Sequence, residues 1–274
     1  MQPTNPTRTL AGKTLVITGG TQGLGEGVAR YCAERGAENI VICGRNRERG
    51  EAVAAALSQQ GVQSLFVPAD LANEAECRRV IRGCDEAFGR IDGLVNAAGI
   101  TDRGTLEETT VDLWDRIFAV NARAPFVLIQ ESVRIMRREN ERAMARGQEP
   151  PGGSIVNILS ISAHGGPPFI MAYCASKGAL ATLTKNLAHS LRWDRIRVNG
   201  VNMGWMATEN EHKVQRAMGK PENWLEQAEA EKPFGRILRP RDVASLTAYL
   251  LSDESQLMTG SLIDYDQNVV GGGM

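Results

Sequence analysis

Seven short, apolar and β-branched runs punctuate this chain and limit what it can fold into. They are Thr14–Thr18, Ile40–Cys43, Ser64–Val67, Gly93–Asn96, Ser154–Ile158, Ile196–Val201 and Ser261–Asp264. Apolar side chains in succession, rather than in alternation, suit strands covered on both faces. Between the runs lie amphipathic stretches with helix punctuation. Gly36 reads as a stop after the first, and Asn73 with Glu76 has the form of a capping box. Strand and helix in regular alternation predict a doubly wound parallel sheet with helices on both faces. The 274 residues give room for one such domain over 10–274, behind a flexible tail at 1–9.

Charge and cysteine usage narrow the function classes. Lys and Arg number 31 against 32 Asp and Glu, so no basic field points to nucleic acid or an anionic membrane. The opening MQPTNPTRTL has no apolar core, so it reads as neither a signal peptide nor an anchor. No apolar run approaches the roughly 20 residues of a membrane helix. Cys32, Cys43, Cys77, Cys84 and Cys174 lack the spacing of a metal site and are odd in number. They read as thiols in a reducing cytoplasm, with no metal expected.

Two segments break the rhythm. Arg137–Gly153 is charged, then rich in Pro and Gly, and reads as an exposed extension between a helix and the fifth strand. Residues 205–240 form a long excursion late in the chain, of the kind that serves as a lid or substrate-binding loop. Its Trp205, Met206, Met218 and Trp224 suit an apolar substrate surface, a core or a subunit contact.

After the first strand comes Thr18-Gly19-Gly20-Thr21-Gln22-Gly23-Leu24-Gly25, running into a helix. A pyrophosphate needs backbone N–H groups at close range, which residues without a Cβ permit, and a helix N-terminus favours negative charge. Gly19, Gly23 and Gly25 are the candidates for that approach. Their spacing differs from G-x-G-x-x-G, and the strand–turn–helix context is what supports it. The second strand ends Cys43-Gly44-Arg45, without the acid that would bind a ribose 2′-hydroxyl. Arg45 suits a 2′-phosphate, so NADP is the expected cofactor, with NAD not excluded.

Tyr173 and Lys177 open a helical stretch and, at i,i+4, share one face. A phenol with a pKa near 10 is a poor base at neutral pH. An ammonium about 4 Å away would lower it by about three units at an effective dielectric of 20. That would bring Tyr173 into the range of general acid/base catalysis. Ser160 follows the fifth strand, on the sheet edge where such folds place ligands, and its hydroxyl suits a substrate oxygen beside the phenol.

These motifs in this order resemble the short-chain dehydrogenase/reductase family, in its shorter single-domain branch. The resemblance runs from about Leu10 to Gly272 and rests on the glycine loop, Asp70-Leu71, Asn96-Ala97-Ala98-Gly99, Asn121, Ser160, Tyr173 and Lys177. It implies a Rossmann-type α/β fold and a Ser-Tyr-Lys-Asn set. In that set Ser160 polarises the substrate oxygen, Tyr173 moves its proton, and Asn121 holds a water in a relay with Lys177. It further implies that Lys177 binds the nicotinamide ribose, Asp70 the adenine amino group and Thr208 the carboxamide. Thr21, Gln22, Leu24, Leu71, Ala97, Gly99, Gly204 and Met206 would line the dinucleotide. Asn96 would support the sheet beside it, and His164 and Trp205 would meet substrate. Asp70, Asn121 and Thr208 also fit the plainer role of helix-start or capping residues. Met203-Gly204 departs from the family's usual Pro-Gly, and Asp264-Tyr265-Asp266-Gln267 from its Asp-Gly-Gly.

The expected activity is hydride transfer between a dinucleotide and a secondary alcohol or ketone: a sugar or polyol, a cyclic ketone or a 3-oxoacyl compound. Two other readings share the features: a nucleotide-sugar epimerase or dehydratase on a related fold, and a non-catalytic dinucleotide sensor. The resemblance implies a homotetramer or dimer acting on a small molecule.

Overall fold

In the computed structural model, which describes residues 9–270, each of the seven runs is a strand. They are β1 (Thr14–Thr18), β2 (Asn39–Gly44), β3 (Gln63–Pro68), β4 (Gly93–Asn96), β5 (Gly153–Ile158), β6 (Ile196–Met203) and β7 (Leu262–Tyr265). All pair in parallel, in the order β3-β2-β1-β4-β5-β6-β7. Residues 1–8 of the expected tail lie outside the described residues.

The helices are α1 (Gly23–Glu34), α2 (Arg47–Gln59), α3 (Glu74–Phe88), α4 (Val111–Phe118), α5 (Ala124–Ala145), α6 (Met171–Leu191), α7 (Glu209–Ala217), α8 (Trp224–Ala230) and α9 (Pro240–Leu251). Successive strand side chains point to opposite faces of the sheet. Leu15, Ile17, Ile40 and Ile42 therefore meet one core, with Val28 of α1, Leu57 of α2 and Val243 of α9. Val16, Val41, Leu94 and Ile155 meet the other, with Ile81 of α3, Leu128 of α5 and Leu191 of α6. Two apolar cores explain why the strands read as unbroken apolar runs. From β1 the chain winds outward through β2 to β3, then returns to place β4 on the other side of β1. Such a reversal opens a crevice at the carboxyl ends of the two central strands.

Two expectations need correction. The Arg137–Gly153 segment is not an extension for most of its length, because α5 continues to Ala145. Two of its arginines are engaged by neighbouring elements. Arg138 grips both carboxylate oxygens of Asp85 on α3, at 2.9 and 2.6 Å, and Arg137 meets Asp194 at 2.7 Å. Asn140, buried, donates to the Asp194 carbonyl at 2.7 Å and accepts from the Gly152 amide at 2.8 Å. Only residues 146–152 form the loop. At the start of α3, Asn73 does cap the helix, accepting from the Ala75 amide at 2.9 Å, but Glu76 reaches past it to the Asp70 amide at 2.6 Å. The motif is therefore half of a capping box.

Asn140 ties the end of α5 to both sides of the β5 approach, and its loss strands a buried amide and a half-buried carbonyl. Asn140→Ala is expected to cost about 2 kcal/mol, read as a lowered urea midpoint at unchanged slope.

Candidate active site

The first glycine turn is built by close packing. Gly19 has φ +68°, and a Cβ there would stand 3.0 Å from the Ala98 Cα. The hydroxyl of Thr18 makes that approach possible. It accepts from the Ala97 and Ala98 amides at 3.0 and 3.1 Å and donates to the Val95 carbonyl at 3.3 Å. Gly23, with φ +58°, begins α1, and a Cβ there would meet only the Thr208 methyl at 3.7 Å. Gly25 differs from its assigned role: a Cβ there would fall 2.3 Å from the Gly19 carbonyl oxygen. Although it borders the cleft, this glycine is required so that α1 can pack beneath its own entry turn.

A cleft of about 1510 Å³ follows the carboxyl edge of the sheet. Its walls include Arg45, Asp70 and Leu71 at one end, then Gly19, Thr21, Gln22, Gly23, Leu24 and Gly25, and then Ala97 and Gly99. Ser160, Tyr173, Gly204, Trp205, Met206 and Thr208 complete the expected set along its walls. Small-molecule pockets commonly occupy about 300–1,000 Å³, so this one has room for a dinucleotide and a second ligand. Arg45 is exposed at the end of β2. Gln22 is engaged by Arg49, a second arginine at that end. Asp70 accepts from the Ala72 amide at 3.0 Å through one oxygen. Thr208 caps α7, accepting from the Glu211 amide at 3.1 Å, while its methyl faces Gly23.

Asn96, Asn121 and Lys177 stand behind the cleft wall. Asn96 donates to Asn157 at 2.8 Å, and Asn157 donates to Thr184 of α6 at 2.9 Å. This buried ladder ties β4 and β5 to α6; Asn157 and Thr184 were invisible as functional residues in the sequence. Asn121 lies in a π-helical turn, Ala119–Arg123, between α4 and α5, so it is not a helix-start residue. Its amide donates to the Ile100 carbonyl at 2.9 Å and the Ser176 hydroxyl at 3.0 Å, and its oxygen accepts from the Ile100 amide at 2.9 Å. A Cβ on Gly99 would stand 3.5 Å from Asn121 Oδ1 and 3.6 Å from Lys177 Nζ, which places both groups behind this glycine. His164 is turned away from the cleft. Its ring Nε2 meets Asp264 at 2.9 Å and Asn202 at 3.2 Å, so a carboxylate and an amide anchor it to β6 and β7.

Tyr173 and Lys177 do share a face of α6, yet their electrostatics differ from expectation. Lys177 Nζ lies 5.7 Å from the phenol ring centroid and donates to the Ile158 carbonyl at 2.7 Å. Burial pushes the phenol up to about 12, opposed by the neighbouring Ser160 hydroxyl. Burial also brings the ammonium down to about 8. Desolvation disfavours the charged form of each group, and here it outweighs the attraction expected between them. Ser160 ends the approach from β5 and accepts from the Ser162 amide at 3.1 Å.

Within the 205–240 excursion, Met206 and Trp224 are buried, whereas Trp205 and Met218 are exposed on the cleft wall. Trp205 Nε1 donates to Glu211 of α7 at 2.9 Å, which fastens the segment's start to its first helix.

A family model described as enoyl-(acyl carrier protein) reductase matches residues 19–269. The chain belongs to the short-chain dehydrogenase/reductase family. An NADP-dependent (R)-specific alcohol dehydrogenase of Lentilactobacillus kefiri is 33% identical over 92% of this chain and 94% of its own length. An oxidoreductase of Thermotoga maritima is 34% identical over 97% of this chain and 96% of its own. The L-sorbose reductase of Gluconobacter frateurii, whose crystal structure contains NADPH and L-sorbose, superposes with a TM-score of 0.88 at 28% identity. That comparison covers 97% of this chain and all of the other. As a short-chain dehydrogenase/reductase the protein is a nicotinamide-dependent oxidoreductase of CH–OH and C=O groups. Its departure at 264–267 has a visible consequence, since a Cβ on Gly204 would collide with the Asp266 carboxylate at 2.3 Å. Asp266 fills the space a side chain at position 204 would need.

Burial of a protonated Lys177 is a cost of this site. An unfolded lysine titrates at 10.5 and the folded one at about 8, so the penalty is full below pH 8 and vanishes above 10.5. Lys177→Met is expected to be more stable than wild type at pH 7 by on the order of 2 kcal/mol, after the lost bond to Ile158 is deducted. That advantage should shrink between pH 8 and 10.5, as read from denaturation midpoints at each pH.

Proposed function

We propose that the protein reduces a ketone, and oxidises the matching secondary alcohol, with NADP as hydride carrier and Tyr173 as the proton donor and acceptor. The observation that carries this reading is that Ser160 and Tyr173 stand together on the wall of a cleft that also runs along the glycine turn. The cradle fits a dinucleotide: Gly19 and Gly23 hold φ values that glycine favours, and Gly23 leaves open space before Thr208. The bound nicotinamide supplies or accepts the hydride.

The chain's own groups do the rest. Ser160 Oγ holds the carbonyl oxygen, and the phenol of Tyr173 gives that oxygen its proton as the hydride arrives. With its pKa raised to about 12, the phenol is protonated at neutral pH and ready to act as an acid. In the oxidative direction the same group must lose its proton, so alkaline pH favours oxidation. Lys177, close behind Gly99 with Asn121, is the route by which Tyr173 recovers a proton and also suits a ribose hydroxyl. Asp70 fits the adenine end through its free carboxylate oxygen. Arg45, beside Arg49, offers a cation where an NAD-preferring site would carry an acid. The NADP dependence of the Lentilactobacillus relative and the NADPH bound in the sorbose reductase structure support the same reading. The substrate end, lined by Trp205 and Met218, suits a sugar or polyol, a cyclic ketone or a 3-oxoacyl compound. We further propose a homo-oligomer in a reducing cytoplasm, consistent with five free thiols.

Tyr173→Phe is expected to lower turnover at least about a hundredfold, the scale of a lost acid/base group, with dinucleotide affinity within about threefold of wild type. Retained turnover, followed at 340 nm with a panel of ketones, would remove Tyr173 from the chemistry. Arg45→Asp should shift the NADP-to-NAD ratio of kcat/KM by about ten- to hundredfold toward NAD. An unaltered ratio would show that selectivity resides elsewhere.

A further inference from the structure

The lip of the cleft across from α7 is made from the loop after β4 and the loop before α6. They are joined: the Gly104 amide donates to the Phe169 carbonyl at 2.9 Å, and Gly104 pairs with Ile170 as an isolated parallel bridge. On this joined lip the guanidinium of Arg103 lies 4.6 Å from the centre of the Phe169 ring. Its neighbour Asp102 is already paired with Arg116. Among the described residues Arg103 has no carboxylate at salt-bridge distance. Arg103 and Phe169 line the same cleft as Ser160 and Tyr173, and Phe169 precedes Tyr173 by four residues.

The acids of α7 that line the cleft, Glu209 and Glu211, keep their charge but form no ion pair with Arg103 among the described residues. Glu211 already accepts from Trp205 at 2.9 Å and Gln215 at 2.6 Å. Glu209 lines the cleft near the glycine turn and also borders a second depression with Gly23 and Arg49. A guanidinium resting on an aromatic face keeps its N–H edge free, and that edge matches a carboxylate or phosphate with two parallel bonds. A cation left unpaired inside a functional cleft, and oriented by an aromatic ring, has the form of a recognition group.

We propose that Arg103, held on Phe169, is a specificity-determining residue that binds an oxyanion of the substrate. The natural substrate is then a ketone, or the corresponding alcohol, bearing a carboxylate or phosphate a few bonds from the reacting carbon. This rests on the hydride-transfer reading above and narrows its substrate class.

The test uses matched pairs that differ in charge: 3-oxobutanoate against its ethyl ester, and dihydroxyacetone phosphate against dihydroxyacetone, each with NADPH. In one pair the anion should have the higher kcat/KM by at least about tenfold, and which pair it is identifies carboxylate or phosphate as the group recognised. Arg103→Ala should cut that preference about ten- to hundredfold, through KM rather than kcat. Arg103→Lys, which keeps the charge but not the fork, should restore part of it. Neutral partners used equally well, neither anion turned over, or a preference unmoved by Arg103→Ala would each overturn the proposal. The two readings fail separately. Turnover that survives Tyr173→Phe counts against the acid/base assignment, whereas a charge-blind enzyme silenced by Tyr173→Phe counts against Arg103 alone.

Discussion

β1 and β4 lie side by side, but the chain leaves them for opposite sides of the sheet. Their ladder ends at Ile17 and Val95, and beyond it two backbone amides, those of Ala97 and Ala98, need acceptors. The Thr18 hydroxyl accepts from both. A buried amide left unpaired costs about 1–3 kcal/mol, so this one oxygen decides whether the loops can part without penalty. Because they part in an ordered way, Gly19 can approach Ala98, α1 can start directly beneath, and the crevice keeps a fixed floor. Arg45, Asp70, Ser160 and Tyr173 reach the cleft from strand ends or helix starts whose positions follow from that floor.

Burial shapes the chemistry as strongly as charge does. The phenol of Tyr173 and the ammonium of Lys177 are both pushed toward neutrality by loss of water. The bare cleft therefore favours the neutral phenol over a phenolate–ammonium pair. Most polar groups around them are paired: Lys177 to Ile158, Asn121 to Ile100 and Ser176, and Asn96 through Asn157 to Thr184, with Asn96 Oδ1 left without a partner. Such a network fixes positions tightly, since each member removed would leave a partner unsatisfied in a low-dielectric setting. Proton transfer needs that fixed geometry more than it needs a permanently lowered pKa.

The strands were legible because burial on two faces leaves a simple signature, and β1 and β4 match their expected bounds to the residue. The glycine turn, Ser160 and the Tyr173–Lys177 spacing were legible because their chemistry is local. What escaped depends on partners distant in the chain. Arg137 and Arg138 look like solvated residues until Asp194 and Asp85 arrive from other elements, so the end of α5 was mistaken for an extension. Gly25 resembles a phosphate-binding glycine, but the obstacle to a side chain there is the carbonyl of Gly19. His164 follows Ser160 closely, yet Asp264, a hundred residues later, draws it off the cleft. The phenol's pKa departs from the expectation because i,i+4 spacing places two side chains on a face without showing how deeply both are buried.

The near-zero net charge of the chain hides a polarity within the cleft. Arg45 and Arg49 stand at the carboxyl end of β2, Arg103 stands on the lip joined to α6, and the amides of the glycine turn lie between them. All three arginines have side chains aimed at solvent-accessible space, where a cation costs little while it waits. An anionic ligand that spans the cleft would meet an arginine at each end and backbone donors in the middle, with the apolar Trp205 and Met218 on the same wall as the proposed reacting centre. Overall composition averages this pattern away, because 32 Asp and Glu stand against 31 Lys and Arg in the whole chain. The field that a substrate meets is set by the few charges left unpaired along its path, and those are visible only once the fold has paired the others.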